Sequence, residues 1–505
     1  MLEILTFKFN PSPDLLFGVS IVLICFFISY RIHWHPLSHI PGPTLAKITG
    51  QWRNIRYWRG TWHDDILQVH RKYGRIVRIA PNEVSVVDGQ AARLLYGNGA
   101  IALKTDWYTT WDSPVGPPSL FSIRDKKMHT YCRKRVAGAY SMTSVLRYEP
   151  DIQRCLDLLV TKLEDHAGQG VIANLSEWTS AFAYDVIACL AYGAPLGHLE
   201  SGSDLMDIRK SLYFTFSFNA CLGHYPGQSW LMTNCGTQFL LGVLGKDHFT
   251  EFLRWTSNMI QLQMARKADV EKSNLLQHFL NMKDDAGNPV QLQDVIAEAG
   301  SLVGAGADTT ASAIRACLHA IYSRREVLDR LRAEIDEVYT ANSEMGNLPY
   351  IKCQKLPFLA AVIKEAMRLN PSITFQLLRY VPPSGLVVDD KLIPPGYPVG
   401  ISPLAQNRDV AIWGKDADEF RPERWLDPNR SRHLDANDLI FGGNGPRMCI
   451  GRNIALMEVF KSVAQIVRSL DLEIVHPQNP WRVASYWFSY QHDFFVKPQI
   501  RGSLN

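Results

Sequence analysis

The sequence lacks an excess of either charge sign, an internal repeat and a low-complexity segment. Its 505 residues include 53 Lys and Arg against 49 Asp and Glu, which leaves a formal net charge of +4 at pH 7. An imbalance of this size is too small to indicate binding to nucleic acid or to a strongly acidic partner. We therefore expect no nucleic-acid partner.

The cysteines also lack the pattern of a disulfide framework or a zinc site. Their number, nine, is odd, so they cannot all be paired with one another. No C-x-x-C spacing occurs that would suggest a zinc ribbon or a redox dithiol. This cysteine usage favours a reduced, cytosol-facing chain in which a single cysteine can still have a special role.

What the sequence does contain is typical of a folded protein. Apolar residues make up 46% and charged residues 20% of the chain, which carries 13 Trp, 19 Tyr and 22 Phe. A disordered chain would be richer in charge and poorer in large apolar residues. The length allows about three domains, but no linker separates the patterned regions, and we expect one large domain.

One long apolar run lies close to the N-terminus. Residues 15–30 carry no charge between Asp14 and Arg31. As a helix they would span about 24 Å, a little less than the hydrocarbon core of a bilayer at about 30 Å. Because Trp34 can extend the span, we predict a transmembrane anchor helix over about 15–34.

A cleaved signal peptide is the alternative for this run. It would need positive charge before the run and small residues at a cleavage site after it. The leading segment is instead close to neutral, and several basic residues, beginning with Arg31, follow the run before the first acidic residue, Asp64. The positive-inside rule then places the C-terminal side in the cytosol, which favours an uncleaved anchor with a luminal N-terminus.

We expect three parts along the chain: a luminal tip with the anchor at 1–34, a proline-rich hinge at 35–50 and a globular domain at 51–505. The hinge begins with the sequence HPLSHIPGP. Because each proline fixes φ and lacks an amide donor, this segment should be a stiff extended connector rather than a helix.

The pattern of the globular domain predicts a mainly α fold with small β-sheets, of the α+β class. Apolar positions three and four apart dominate residues 125–340, and a further helix is predicted from about Arg452 to Leu470. Runs rich in β-branched residues predict short strands within 75–88 and 385–402.

Cys449 differs from the other eight cysteines in its surroundings. It lies in the sequence FGGNGPRMCIG at residues 441–451, directly before a helix-forming segment. Glycines on both sides let the backbone approach a flat ligand closely. The start of the helix and the cation of Arg447 would both favour a thiolate over a thiol at Cys449.

On these residues the chain resembles the haem-thiolate monooxygenases of the cytochrome P-450 superfamily, whose signature is F-x-x-G-x-R-x-C-x-G. The resemblance implies that Cys449 is the axial ligand of the iron of haem b. It also implies a single large fold with the haem between a long central helix and the loop that carries the cysteine. Phe441 stands eight residues before Cys449 where the signature has seven, so the loop carries one extra residue.

A second match is the sequence AGADTT at 305–310, within a helix predicted from about Gln293 to Arg324. Two glycines within the helix cost about 1 kcal/mol each relative to Ala, and Asp and Thr compete for its backbone hydrogen bonds. We therefore expect a local break that opens a groove. The resemblance implies that Thr309 hydrogen-bonds dioxygen and that Asp308 connects a proton relay to solvent; the alternative is a glycine pair that only packs two helices together.

A third match is Glu365-Ala-Met-Arg368, with Arg424 further along in the sequence PERW. Glu365 and Arg368 are i,i+3 neighbours on one helix face. The family builds a buried network from these elements. The resemblance thus implies a structural role for Glu365, Arg368 and Arg424, which would hold the loop that carries the thiolate.

The fourth match is the segment 125–141, which resembles the helix whose W-x-x-x-R pair contacts the haem propionates. His129 takes the Trp position and Arg133 the Arg position, while Arg379 and Arg447 match further family positions. Guanidinium groups suit carboxylates because they can bind them in a bidentate manner. The resemblance therefore implies that these four residues bind the cofactor.

The same segment carries a basic cluster for which two interpretations stay open. It is either a solvated helix face or, as in the family, a docking surface for an acidic electron donor. Its members are Lys126, Lys127, Arg133, Lys134 and Arg135.

The resemblance covers essentially the whole chain and is close to fungal microsomal members of the pisatin-demethylase type. It implies a single-pass protein of the endoplasmic reticulum membrane with a cytosolic haem-thiolate domain. Such an enzyme inserts one oxygen atom of O2 into a lipophilic small molecule, with electrons from NADPH–cytochrome P-450 reductase, in secondary-metabolite biosynthesis or detoxification. The glycine pairs of this chain lie inside a predicted helix and the cysteine loop, which are the wrong contexts for a dinucleotide site of its own.

Two other functions use the same kind of cofactor site. One is an isomerase or dehydratase that rearranges peroxides without a reductase, and the other is a non-catalytic haem-binding carrier. Asp308 and Thr309 argue against the first, because such enzymes do not need to deliver protons to dioxygen.

Substrate contacts are expected from the loop at 101–121, from the central helix, from the segment after Arg368 and from the C-terminal region. Burial in the core is the alternative for each of these side chains. The candidates are Trp107, Tyr108, Trp111, Phe121, Ala305, Ile373, Phe375, Trp487 and Phe488.

Overall fold

The computed structural model describes residues 12–112, 117–234, 236, 248–265, 274–340 and 347–502. The first eleven residues of the predicted luminal tip, residues 113–116 of the predicted substrate loop and Cys235 lie outside the described residues.

The N-terminal segment forms the predicted apolar helix. Ser12 caps it by accepting a hydrogen bond from the Leu15 amide at 3.3 Å, and the helix Pro13–Ser29 continues into a π-helical turn, Tyr30–Trp34. None of its residues is buried. The 22 residues Pro13–Trp34 are long and apolar enough to cross a membrane.

Helices make up most of the body, and long helices alternate with one-turn helices. The α-helices are Thr44–Ile48, Gln51–Arg59, Trp62–Tyr73, Gly89–Tyr96, Lys126–Val136, Met142–Leu146, Glu149–Gln169, Leu175–Tyr192, His198–Ser201, Ile208–Leu222, Gln228–Thr233, His248–Ala265, Leu275–Leu280, Leu292–Tyr322, Arg325–Thr340, Tyr350–Cys353, Pro357–Leu369, Pro403–Gln406, Val410–Trp413, Pro428–Asp435 and Arg452–Ser469. Short 3-10 helices are Asp106–Trp111, Ala137–Tyr140, Leu205–Asp207 and Pro422–Trp425.

The strands form small sheets, as predicted. The largest sheet has five strands in the order Ile76–Ala80, Glu83–Val86, Pro398–Gly400, Arg379–Tyr380 and Leu103–Lys104. A three-stranded sheet joins Ala173–Asn174, Phe495–Ile500 and Leu470–Ile474, and two hairpins pair Arg482–Ser485 with Ser489–His492 and Leu386–Val388 with Lys391–Ile393. The two expected strand regions, 75–88 and 385–402, are thereby confirmed.

The central helix, Leu292–Tyr322, organises the core. Its 31 residues span about 46 Å, and most of its second half is buried. It packs against the helices Leu175–Tyr192, Pro357–Leu369 and Arg452–Ser469. Its buried side chains are mostly apolar or small, as expected of a helix that packs against neighbours on several sides.

The expected break at the AGADTT sequence is wrong, because the central helix is continuous there. Its glycines serve close packing instead. A Cβ at Gly304 would lie 2.9 Å from Phe216 Cζ, and one at Gly306 would lie 2.7 Å from Ile187 Cδ1. The threonine hydroxyls bond back along the helix, from Thr309 Oγ1 to the Ala305 carbonyl at 2.9 Å.

The hinge is packed more tightly onto the body than an extended connector would be. Leu37 and Ile40 are fully buried in the core beneath the five-stranded sheet, and the short helix Thr44–Ile48 follows them. The reason for the difference lies in Arg78 on the first strand. Its guanidinium is fully buried and donates to the carbonyls of Arg31, Pro81 and other residues at 2.8–3.5 Å.

We predict that Arg78→Ala loosens the hinge, because several buried carbonyls lose their donor. The free energy of unfolding should fall by about 2 kcal/mol, and the peptide bond after Lys47, whose carbonyl accepts from Arg78 at 3.4 Å, should be cleaved faster in limited trypsin digestion. Arg71→Ala is the control, since Arg71 forms only an exposed ion pair with Asp418. Equal cleavage rates in the two variants would contradict the prediction.

Candidate active site

The cysteine loop, Phe441–Gly451, is a compact turn that faces the interior. The Cys449 amide donates to the Phe441 carbonyl at 2.9 Å, so the extra residue of the loop is accommodated within this closed turn. Gly445 must lack a side chain, because a Cβ there would lie 2.1 Å from the Tyr96 carbonyl oxygen. Gly443 has φ 87° and packs on the same residue. The loop is thus fixed against the helix Gly89–Tyr96.

Cys449 lies deep in the protein, with its side chain open to an internal cavity. Burial raises the pKa of its thiol, while the N–H groups of Gly451 and Arg452 and the charges of Arg133 and Arg452 act to lower it. The predicted effect of the helix start is therefore present, but desolvation outweighs it. The helping charges come from Arg133 and Arg452 rather than from Arg447, which the sequence had suggested.

The cavity has a volume of about 380 Å³, which is within the range of small-molecule sites. The cysteine loop forms one part of its wall, and the central helix forms another through Ala305, Gly306 and Thr309. The predicted metal ligand, Cys449, and Thr309 of the predicted oxygen-binding motif therefore face one common space.

Four cations converge on this cavity. Lys104, Arg133, Arg379 and Arg447 all line it. Their polar contacts are neutral groups: Arg133 donates to the Met448 carbonyl at 2.8 Å, Arg447 to that of Arg124 at 2.8 Å, Arg379 to the Tyr108 hydroxyl at 3.0 Å and Lys104 to the Phe121 carbonyl. Within the described ranges none of the four forms an ion pair. Buried cations without counter-charge are costly, so this cluster suits an anionic ligand.

The cations perturb one another and the nearby His129. Burial, with the charges of Arg379 and Arg447, holds the pKa of Lys104 well below its usual range. Burial and the four cations lower the pKa of His129 to about 3. His129 is therefore neutral at physiological pH and can offer a ring N–H to a ligand, but no charge.

Asp308 points away from the cavity that Thr309 lines. It is buried, and desolvation raises the pKa of its carboxyl to about 6, against the lowering effect of Arg315 and Arg209 and of the hydroxyls of Tyr184 and Tyr490. The two predicted members of the oxygen-binding motif therefore lie on different sides of the central helix wall.

Glu365, Arg368 and Arg424 meet in a fully buried network. The Glu365 carboxylate accepts from Arg368 Nε and Nη2 at 2.8 Å and from Arg424 Nε, the Arg421 amide and Trp425 Nε1 at 2.9 Å. All three predicted side chains have no exposed surface. Every charge in the network thus has an opposite charge beside it.

The predicted substrate residues divide into two groups. Seven line the cavity: Tyr108, Trp111, Phe121, Ala305, Ile373, Trp487 and Phe488. Trp107 and Phe375 do not. The Trp107 indole is held by a bond to the Ala220 carbonyl at 3.0 Å, and the Phe375 ring stacks on Tyr57 at 4.0 Å between centroids, so both belong to the layer behind the wall.

The basic cluster at 126–135 also divides. Arg133 faces the cavity, and Arg135 forms an ion pair with Asp294 at 3.8 Å. Lys127 and Lys134 are exposed. Only part of the cluster is therefore available on the surface.

Sequence reasoning missed several polar residues of the cavity wall. Besides Lys104, these are Thr215 and Asn219 from the helix Ile208–Leu222 and the acids Glu298 and Glu458. Desolvation raises the pKa of Glu298 to about 7 and that of Glu458 well above its usual range. None of these residues belongs to a short motif. Thr215 and Asn219 are i,i+4 neighbours, a spacing that could have suggested a shared helix face, whereas Lys104, Glu298 and Glu458 lie on separate elements.

The family to which the chain belongs follows from a comparison with family models. The Cytochrome P450 model matches residues 40–493, almost the entire body. The chain is a cytochrome P450.

Named relatives agree with this assignment. The cytochrome P450 monooxygenase gsfF of Penicillium aethiopicum is 33% identical to this chain, over 96% of the chain and 99% of its own length. A pisatin demethylase of Fusarium vanettenii is 32% identical over 94% of the chain and 90% of its own length. The cytochrome P450 monooxygenase cicH of Emericella nidulans is 29% identical over 97% of the chain and 98% of its own length. The predicted enzyme class, a P450 monooxygenase, is confirmed.

The residues of the cavity fit the cofactor of this family, haem b. The open Cys449 thiol would supply a ligand to the haem iron, and the cation cluster without counter-charge would match two propionates. Apolar side chains of Ile440, Ile450 and Ile454 line the same space and suit the apolar part of a porphyrin.

We predict that Glu365→Ala destabilises this P450 by about 3–5 kcal/mol, because the buried Arg368 loses its counter-charge and the buried Arg424 keeps only its pair with Asp416 at 3.3 Å. The purified variant should also retain less haem, as measured by the absorbance of the reduced CO complex. Glu423→Ala is a matched control from the same segment, since Glu423 only pairs with Arg330 at the surface and should behave like the native protein. Native haem content in Glu365→Ala would refute the structural role.

The raised pKa of Asp308 predicts a pH-dependent stability difference. An acid whose pKa rises from 3.8 to about 6 on folding destabilises the fold as pH increases through this interval, since its ionised form is disfavoured. Asp308→Asn should therefore be more stable than the native protein by about 3 kcal/mol at pH 7, with little difference near pH 4. The urea midpoint of unfolding measures this. Asp64→Asn, at an exposed carboxylate, should show no such trend, and a pH-independent difference for Asp308→Asn would contradict the argument.

Proposed function

We propose that this P450 is an anchored monooxygenase of the endoplasmic reticulum membrane that oxidises a lipophilic small molecule in secondary metabolism or detoxification. The observation that carries the proposal is the common cavity, in which the open Cys449 thiol, the cation cluster and Thr309 of the central helix face one another. The names of the relatives, monooxygenases and a demethylase from fungi, support the same class.

Cys449 would hold the haem iron, which when bound supplies the activation of O2. Arg133, Arg379 and Arg447, joined by Lys104, would bind the propionates. The neutral ring of His129 would add a hydrogen bond. Because these groups are already in place and desolvated, binding of the carboxylates needs little reorganisation of the protein.

Thr309 and Asp308 would handle the protons of the reaction. The Thr309 hydroxyl is bonded to the Ala305 carbonyl, from which it can rotate toward the cavity. Asp308 has a pKa near 6 and can exchange a proton close to physiological pH. Since its side chain lies outside the cavity, it would pass protons to Thr309 from the interior side of the helix, next to Tyr184 and Tyr490.

Electrons would come from NADPH through a separate reductase. The exposed Lys127 and Lys134 are candidates for its docking surface, because they lie on the helix that also presents Arg133 to the cavity. The helix Pro13–Ser29 would anchor the enzyme with the body in the cytosol, as the basic residues after it indicate.

The peroxide-rearranging enzyme and the haem-binding carrier are disfavoured by one observation each. A desolvated Asp308 beside Thr309 has no use in a reaction without proton delivery. A carrier would gain nothing from an open thiol poised beside the helix that presents Thr309.

The test is spectroscopic and catalytic. Cys449→Ser should abolish the thiolate-type band of the reduced CO complex and all NADPH-dependent O2 consumption with added reductase, because an alcohol is a far weaker ligand. Cys353→Ser, at a buried cysteine outside the cavity wall, is the control and should keep both signals. A thiolate-type band in Cys449→Ser would refute the ligand, and a native enzyme with this band that consumes no O2 would favour the carrier.

A further inference from the structure

The helix Ile208–Leu222 forms a wall of the cavity with one face. Leu212, Thr215, Phe216 and Asn219 line the space, at the i, i+3, i+4 and i+7 spacing of a single helical stripe. Two of the four are polar. A purely apolar ligand would need no polar residue on this stripe, so these two positions call for an explanation.

Thr215 and Asn219 are buried and lack hydrogen-bond partners for their side chains. They are 5% and 3% exposed, and no described residue donates to or accepts from the Thr215 hydroxyl or the Asn219 amide. Two buried threonines of other helices instead bond back to a backbone carbonyl: Thr179 to that of Leu175 at 2.6 Å and Thr310 to that of Gly306 at 2.8 Å. Since a buried polar group without a partner is costly, the two side chains are suited to bind a ligand.

Aromatic rings surround the same part of the cavity. The ring of Trp111 lies 5.3 Å from that of Phe216 and 5.7 Å from that of Phe121. The Trp487 ring lies 5.8 Å from Phe121, and the Phe488 ring 5.2 Å from Phe216. Such an arc offers both faces and edges to a flat ring, and aromatic pairs gain more than their buried area alone provides.

The two polar side chains carry no charge and can both donate and accept hydrogen bonds. The cations of the cavity form a separate group, which the haem propionates would neutralise. Where this helix and the aromatic arc line the cavity, a substrate therefore meets rings, one amide and one hydroxyl. The acids Glu298 and Glu458 and further hydroxyls of the wall lie on other elements.

We propose that the substrate is a neutral, flat aromatic molecule with a phenolic or carbonyl oxygen that Thr215 and Asn219 bind. The inference rests on the proposed monooxygenase function, since it concerns the substrate of the same cavity. Asn219 contributes the directional contact, because an amide fixes both a donor and an acceptor. Thr215, one turn earlier on the same face, adds a second contact to the same oxygen or to a neighbouring one.

The test uses the full-length holoenzyme and three probes of similar size: 2-naphthol, naphthalene and 2-decalol. Binding is measured by titration of the change in the haem absorption spectrum. Native protein should bind 2-naphthol about tenfold more tightly than naphthalene, which lacks the oxygen, and more tightly than 2-decalol, which lacks the rings. Asn219→Leu should remove the preference for 2-naphthol over naphthalene, and Thr215→Val should reduce it.

Asn479→Leu, at an exposed position outside the cavity wall, is the matched control and should keep the native preferences. The substrate class is overturned if Asn219→Leu still prefers 2-naphthol, if 2-decalol binds as tightly as 2-naphthol, or if 2-naphthol causes no change in a native protein with a thiolate-type CO band. A native protein without that band overturns the proposed function instead, and this inference with it, so the two failures can be told apart.

Discussion

The contacts of the Glu365 carboxylate are the constraint on which the rest of the site depends. One carboxylate joins the helix Pro357–Leu369 to the Pro422–Trp425 turn, and Arg368 extends the network to the carbonyls of Asn407 and Ala417 at 2.6 Å. These carbonyls belong to the long irregular segment that leads to the cysteine loop. A segment with so few regular hydrogen bonds needs such a fixed point, because each of its buried polar groups must find a specific partner.

The two groups of buried cations in this P450 differ in whether they have counter-charges. Around Glu365 every guanidinium has an opposite charge, and the network is complete within the protein. Around the cavity the cations have only neutral acceptors, and they lower one another's pKa. The first arrangement stabilises the fold by itself. The second becomes favourable only with an anion present, so it indicates a ligand site even without reference to any relative.

The sequence allowed the fold class and the chemistry near Cys449 to be predicted, because these depend on local patterns. The helix Arg452–Ser469 begins at the predicted residue and ends one residue early. Contacts between segments that are distant in the sequence were harder to predict. Trp107 and Phe375 are aromatic residues of the kind that line pockets, but they lie behind the cavity wall. Lys104 and Asn219 belong to the wall, although no sequence motif marks them. Which side of a strand or helix faces the cavity is decided by tertiary packing, which short-range spacing does not encode.

A buried polar region and the aromatic part of the cavity lie on opposite sides of the central helix near Thr309. Asp308, Tyr184, Tyr490 and Arg315 form a buried polar region on one side of the central helix, whereas aromatic rings dominate the substrate part of the cavity on the other. A proton route through the ring-lined space would need water beside the substrate, and water there would weaken the apolar contacts that bind it. With Asp308 behind the helix and the Thr309 hydroxyl on its cavity side, the proton route that we propose would enter the cavity at the central helix rather than among the aromatic rings. The regular, unbroken course of the central helix makes this possible, because adjacent side chains of a helix point about 100° apart, so that residues 308 and 309 lie on different faces.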